Sequence, residues 1–264
     1  MLQILHEAVE AVRRALDELA DWGPSGTRPG QYLLDVAADA AVMPVLHGSG
    51  LAVLSEESGL SGPSGSDLLA VVDPVDGSTN AYRGVPFYST SICVLDATGP
   101  LAGVVVNQAT GTRYEAVRGS GGRKDGEPLR PSGCTELASA IVGISGFPGI
   151  HPGWAQFRAF GAAALELCAV ADGTLDAFVV GTHASLAPWD YLGAMLVCTE
   201  AGAVVGELEG RDLVTRDPAL RRAVVAAATT GLLGQLGEAA TAGAGSGPVR
   251  PQGSPPPGAG DPVP

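Results

Sequence analysis

The residues best equipped for chemistry lie in one run, Val71-Val72-Asp73-Pro74-Val75-Asp76-Gly77-Ser78-Thr79-Asn80. An apolar strand leads into two aspartates, a Pro and Gly turn, and two adjacent hydroxyls. The strand supplies rigidity, and the turn exposes both carboxylates on one side. Carboxylates are hard donors for cations, and the free N–H groups at Gly77 and Ser78 suit a phosphate, so the segment can hold both together. Asp-Gly on its own signals only a turn. Lys124-Asp125-Gly126-Glu127, polar and with no apolar strand before it, reads as a turn and nothing more.

Two further acidic sites join this run. Upstream, the apolar strand Leu51-Ala52-Val53-Leu54 ends at Ser55-Glu56-Glu57. Glu56 is read as a ligand because of the acids around it, and Glu57 as a solvated strand end. Downstream, a helix pattern starts near Pro188 and stops at Gly202, which puts Asp190 in its first turn. A helix dipole favours an acid there without any further function.

Together the three segments resemble the inositol monophosphatase family of magnesium-dependent, lithium-sensitive phosphomonoesterases. The residues that carry the resemblance are Glu56-Glu57, Asp73 through Asn80, and Trp189-Asp190 with Glu200-Ala201-Gly202, in the family's order. It covers roughly residues 1 to 235. The resemblance implies a first Mg²⁺ on Glu56, Asp73 and the Val75 carbonyl, and a second on Asp73, Asp76 and Asp190. Two or three ions are expected in all. It further implies that Glu56 and Ser78 orient the attacking water, that the N–H groups of Gly77 and Ser78 hold the phosphate, and that Asp190 also reaches the substrate. Paired cations would neutralise phosphoryl charge and lower the pKa of that water. Trp189 is read as packing beneath Asp190. A homodimer acting on a small phosphorylated substrate is implied as well.

Several positions depart from the pattern. Ser78 replaces a more usual Thr and keeps the hydroxyl. Asp35 looks like the family's upstream aspartate, which binds a weaker extra metal, yet an ordinary helix-start acid fits equally. Arg158-Ala159-Phe160-Gly161-Ala162-Ala163 resembles a substrate-approaching segment, placing Gly161 and Ala162 near substrate, but Ala162 has lost the hydroxyl. The acid that reads substrate hydroxyls is missing. Counting forward from Asp176 puts Val180 there, and counting back from Asp190 puts His183 there. Inositol monophosphate is therefore only the default substrate. Histidinol phosphate, a nucleotide 3′-phosphate and a sugar phosphate stay open, as does a non-catalytic, metal-binding regulatory protein on the same scaffold.

Composition sets bounds. A net charge of −13 argues against nucleic acid as a general partner and favours cations that reverse local charge before a phosphate enters. No apolar run reaches membrane-span length, and the N-terminus lacks the order of a secretion signal. Cys93, Cys134, Cys168 and Cys198 are scattered with no C-x-x-C spacing, which reads as reduced thiols in a cytoplasmic protein. Asp73 and Asp76 are one residue too far apart for an Asp-x-Asp phosphatase. Neither Gly-x-Ser-x-Gly nor a nucleotide P-loop occurs.

The elements that must position these residues follow from periodicity. Helices are predicted over 3–21, 33–47, 151–159, 161–171, 188–202 and 231–239. Strands are predicted near 51–55, 68–73, 86–95, 101–107, 112–118, 140–145, 175–180, 203–206 and 222–228, with Ala109-Thr110-Gly111 closing a hairpin. This mixture gives α/β layers, which the resemblance makes specific as an α-β-α-β-α sandwich. Residues 1–240 are expected to form one domain of two subdomains meeting near 135–140. Residues 241–264, rich in Gly and Pro, read as a disordered tail.

Overall fold

The computed structural model describes residues 1–63, 65–148, 151–181 and 184–243. Helix α1 (Leu2–Glu18) buries Leu5, Val9, Val12 and Leu16 along one stripe, and α2 (Leu33–Gly48) packs beside it. Strands β1 (Ala52–Ser55), β2 (Gly59–Ser61), β3 (Leu69–Asp76), β4 (Ser89–Asp96), β5 (Gly99–Asn107), β6 (Arg113–Val117), β7 (Gly122–Lys124) and β8 (Glu127–Pro128) form one sheet. Its order is β2-β1-β3-β4-β5-β6-β7-β8, with β1 parallel to β3. The short α3 (Ser78–Arg83) follows β3. A second sheet holds β9 (Ile141–Ser145), β10 (Gln156–Arg158), β11 (Ala177–Val180), β12 (Val204–Glu207) and β13 (Val224–Ala227) in the order β10-β9-β11-β13-β12.

Three apolar clusters define the layers. α1 and α2 cover one face of the first sheet. Between the sheets lie α4 (Ala163–Ala171) and α5 (Pro188–Ala201). α6 (Thr230–Gly243) covers the outer face of the second sheet. The result is the expected α-β-α-β-α sandwich. All nine residues of α4 are buried, as a helix flanked by sheets on both sides requires.

Two expectations are corrected. Residues 151–159 contain no helix; Gln156–Arg158 instead pairs parallel to β9 as an edge strand. The last helix extends from Thr230 to Gly243, into the expected tail, whose remainder lies outside the described residues. Asp125 takes a positive φ in the β7–β8 turn, and Cys93, Cys168 and Cys198 are free and buried.

β3 holds the feature that matters most. The strand does not stop at Asp73 but continues, fully buried, through Asp76. Asp73 pairs with Ser91 and Asp76 with Ser89, so Pro74 and Val75 together oppose Thr90 alone. This is a one-residue bulge. In a regular strand, residues three apart point to opposite faces. The bulge removes that offset, so Asp73 and Asp76 share the face toward α4 and α5 while Val75 packs with α1 and α2. Pro74 brings no N–H to leave unpaired, and the Thr90 hydroxyl donates to its carbonyl at 2.8 Å.

α5 lies unusually close to the sheet. A Cβ on Gly193 would come within 3.0 Å of Ser91 Oγ and 3.2 Å of the Ile92 carbonyl. Gly193→Val should therefore cost on the order of 1–3 kcal/mol by overpacking, read from denaturant unfolding. Unchanged stability would contradict this packing.

Candidate metal centre

Each carboxylate is delivered by a local device. The backbone N–H of Glu56 donates to Val72 just past β1, and Glu56 follows Leu54 onto the inner face. Asp190 sits in the first turn of α5, behind Pro188, and accepts from the Ala187 N–H at 2.7 Å. Asp73 comes from the bulged strand. Glu56, Asp73 and Asp190 each offer an oxygen, and these atoms all lie within 4.8 Å of one another.

Asp76 is held differently. Its two oxygens accept from the N–H groups of Ala163 (3.3 Å) and Ala164 (2.8 Å). It thereby caps α4, whose own N-cap, Ala162, has no side-chain acceptor. Asp35 likewise accepts from the Tyr32 N–H at 2.8 Å at the start of α2. It lines a cavity of about 420 Å³ together with Glu56, Glu57, Ser78 and Trp189.

The electrostatics are those of an acidic cluster without enough compensating charge. Burial, then the Glu56, Asp76 and Asp190 charges, push Asp73 well above the usual carboxylate range. Burial and the Asp190 charge do the same to Asp76, against the Ala164 N–H. Burial, then Asp190 and Glu57, raise Glu56 to about 7. Burial raises Asp190 to about 6 against the Ala187 N–H and the Arg221 charge, and raises Asp35 to about 6 against hydrogen bonds from Ser78 and the Tyr32 N–H. Asp73 is 2 % exposed, and its Oδ1 has no hydrogen-bond partner among the described residues. A buried carboxylate oxygen with no donor, beside two more carboxylates, fits a divalent cation bound by oxygen ligands.

The remaining predicted residues fall into place unevenly. Ser78 Oγ donates to the Val75 carbonyl at 2.9 Å, which joins the predicted water-orienting hydroxyl to the predicted carbonyl ligand. Gly77 has φ +90 and precedes α3, whose first-turn N–H groups lack intrahelical partners. A Cβ on Gly77 would meet the Ala162 Cβ at 3.0 Å, so only glycine lets these segments approach so closely. Gly161 is exposed at that junction. Ala162 is 1 % exposed, its side chain in the core. Val180 is also in the core at 2 % exposure, on the β11 face toward α4 and α5, so it does not meet substrate. His183 lies outside the described residues. Glu57 is not a solvated strand end: Arg28 pairs with it and the Gln31 amide donates to it.

Sequence reasoning missed Glu166 and gave Asn80, part of the central run, no role of its own. Glu166 is wholly buried on α4 and accepts from the Phe160 N–H at 2.9 Å. The Asn80 amide donates to the Phe160 and Phe87 carbonyls. Together they fix the segment leading to Gly161. An acid within a helix of otherwise apolar residues was the signal available for Glu166.

A model of the inositol monophosphatase family matches residues 47–241. The chain is 33 % identical over 226 residues to the Archaeoglobus fulgidus fructose-1,6-bisphosphatase/inositol-1-monophosphatase, covering 80 % of this chain and 86 % of that protein. It is 32 % identical over 195 residues to the Nus factor SuhB of Pasteurella multocida, covering 67 % and 71 % respectively. Among solved structures, a Pyrococcus horikoshii protein with similarities to inositol-1 monophosphatase superposes with a TM-score of 0.78 at 25 % identity, over 90 % of this chain and 95 % of that one.

The raised carboxyls tie stability to pH. In the unfolded chain these groups titrate near about 4. Between there and their folded values of about 6 to about 7 the folded, metal-free protein binds more protons. Stability is therefore greatest at the acid end of this window and is lost as pH rises through the folded values. Glu207, lowered to about 2 by its Arg211 partner against its own burial, acts in the opposite sense but only at lower pH. The melting temperature in chelator should fall from about pH 5 to about pH 8, and added Mg²⁺ should restore it most at the alkaline end. A flat profile that Mg²⁺ leaves unmoved would contradict the cluster's electrostatics.

Proposed function

Given that the chain belongs to the inositol monophosphatase family and is a phosphoric monoester hydrolase, we propose that it hydrolyses a small phosphomonoester in a Mg²⁺-dependent, Li⁺-sensitive reaction at the Glu56–Asp73–Asp190 cluster. The observation that carries this reading is the orphaned, buried Asp73 Oδ1 among acidic neighbours.

Glu56, Asp73 and the Val75 carbonyl are proposed to hold one ion, Asp73, Asp76 and Asp190 a second, and Asp35 a weaker third. Bound Mg²⁺ would neutralise phosphoryl charge and acidify the attacking water. Glu56 and the Ser78 hydroxyl orient that water, their oxygens accepting its protons. The N–H groups of Gly77 and Ser78 hold the phosphate oxygens, in an orientation that the tight contact with Ala162 keeps fixed. Asp76 ties this turn to the start of α4, so the phosphate cradle and the cation site move as one body.

Inositol monophosphate is the default substrate. The name of the Archaeoglobus relative adds a sugar bisphosphate to the candidates, beside histidinol phosphate and a nucleotide 3′-phosphate. Residence in the cytoplasm and a homodimer belong to the same proposal. The test is phosphate release from a panel of phosphomonoesters with and without Mg²⁺ and with added Li⁺. Release that requires Mg²⁺ and is blocked by Li⁺ supports the reading, and release indifferent to Mg²⁺ overturns it.

Asp73→Asn separates catalysis from folding. It removes one ionisable group from the cluster and almost no volume. Turnover should fall by at least about 100-fold, while the melting temperature in chelator at neutral pH rises. Retained turnover would refute the assignment of Asp73.

A further inference from the structure

The cavity above the cluster carries two arginines as well as its acids, and they differ in what they have left to offer. Arg28 is engaged with Glu57. Arg221 lines the same cavity as Glu56 and Ser78, and although its charge acts on Asp190 it has no carboxylate within 4.0 Å among the described residues. It is fixed rather than loose. Its guanidinium lies over the Trp189 ring, 5.5 Å from the centroid, and Nη1 donates to the Pro218 (2.7 Å) and Leu220 (3.0 Å) carbonyls. A guanidinium has five N–H donors. Those two bonds occupy Nη1 and leave the Nε and Nη2 edge, the edge that grips a carboxylate or phosphate with two parallel hydrogen bonds. The neighbouring Arg222 is the contrast: it is buried and donates to the Asp212 and Arg221 carbonyls, a structural use.

Among the described residues, no acid stands at the position counted for reading substrate hydroxyls, and the nearby Glu57 is already engaged. Val180 is in the core, and Glu57 accepts from Arg28 and Gln31. Among the described residues nothing accepts from that edge, and a preorganised cation with an open bidentate edge selects an anion instead.

We propose that Arg221, braced on Trp189 at the rim of the carboxylate cavity, binds a second anionic group of the substrate. The substrate class is then phosphomonoesters that carry a further phosphate or carboxylate. This rests on the phosphatase reading and narrows it.

The test compares kcat/KM for matched pairs that differ only in the second phosphate: a nucleoside 3′,5′-bisphosphate against its 3′-monophosphate, and a hexose bisphosphate against the hexose monophosphate. Wild type should favour the doubly anionic member. Arg221→Gln should lower the bisphosphate-to-monophosphate ratio about 10- to 100-fold, chiefly through KM. Arg221→Lys, which keeps the charge but not the planar fork, should fall between them; it also serves as the variant to read if the glutamine protein fails to fold. A wild-type ratio near unity overturns the proposal, as does an equal loss on both members, which would assign Arg221 to the scissile phosphate. Wild type that releases phosphate from no ester fails the phosphatase reading itself, an outcome distinct from either.

Discussion

The bulge in β3 sets what this protein can do. Two aspartates three residues apart in a regular strand would stand on opposite faces of the sheet, one of them in the layer of α1 and α2. One extra residue against Thr90 brings both to the face of α4 and α5. The cost of a kinked ladder is offset locally, by a proline that has no N–H to lose and a threonine hydroxyl on the proline carbonyl. From that geometry the rest follows. Asp73 meets Glu56 and Asp190, Asp76 meets the N-terminus of α4, and Val75 returns its side chain to the core.

The two aspartates differ in the hydrogen bonds they already make. Asp76 uses both oxygens to close the start of α4, which binds the first sheet to the helices between the sheets. Asp73 keeps an oxygen with no donor. Burying a carboxylate without partners is unfavourable, and here Glu56 and Asp190 add repulsion. In the metal-free protein the cluster responds by holding protons well above the usual carboxylate range. A bound divalent cation would remove that burden and would couple stability to cation binding through the same few oxygens.

Much of this was legible in the sequence. Periodicity placed α1, α2, α5 and most strands of the first sheet, and Glu56, Asp73 and Asp190, singled out from three separate segments, have oxygens within 4.8 Å of one another. What was not legible depended on partners distant along the chain. Asp-Pro reads locally as a turn start, and only pairing with Ser89 and Ser91 makes it a bulge. Ala162 reads as a lost hydroxyl, whereas α4 is capped from another strand by Asp76. Glu57 reads as solvated because Arg28 lies 29 residues away. Residues 151–159 have helical spacing, but their one deeply buried aromatic, Trp154, and the pairing of Gln156–Arg158 with β9 override it. Arg221 carries no motif at all, and its place beside Trp189 arises only from the fold.

The most direct test of the central claim is anomalous diffraction from crystals soaked in Mn²⁺, a hard cation that can stand in for Mg²⁺. A strong peak bound by Asp73 together with Glu56 or Asp190 is expected. Mn²⁺ bound elsewhere, with Asp73 free of metal, would contradict it.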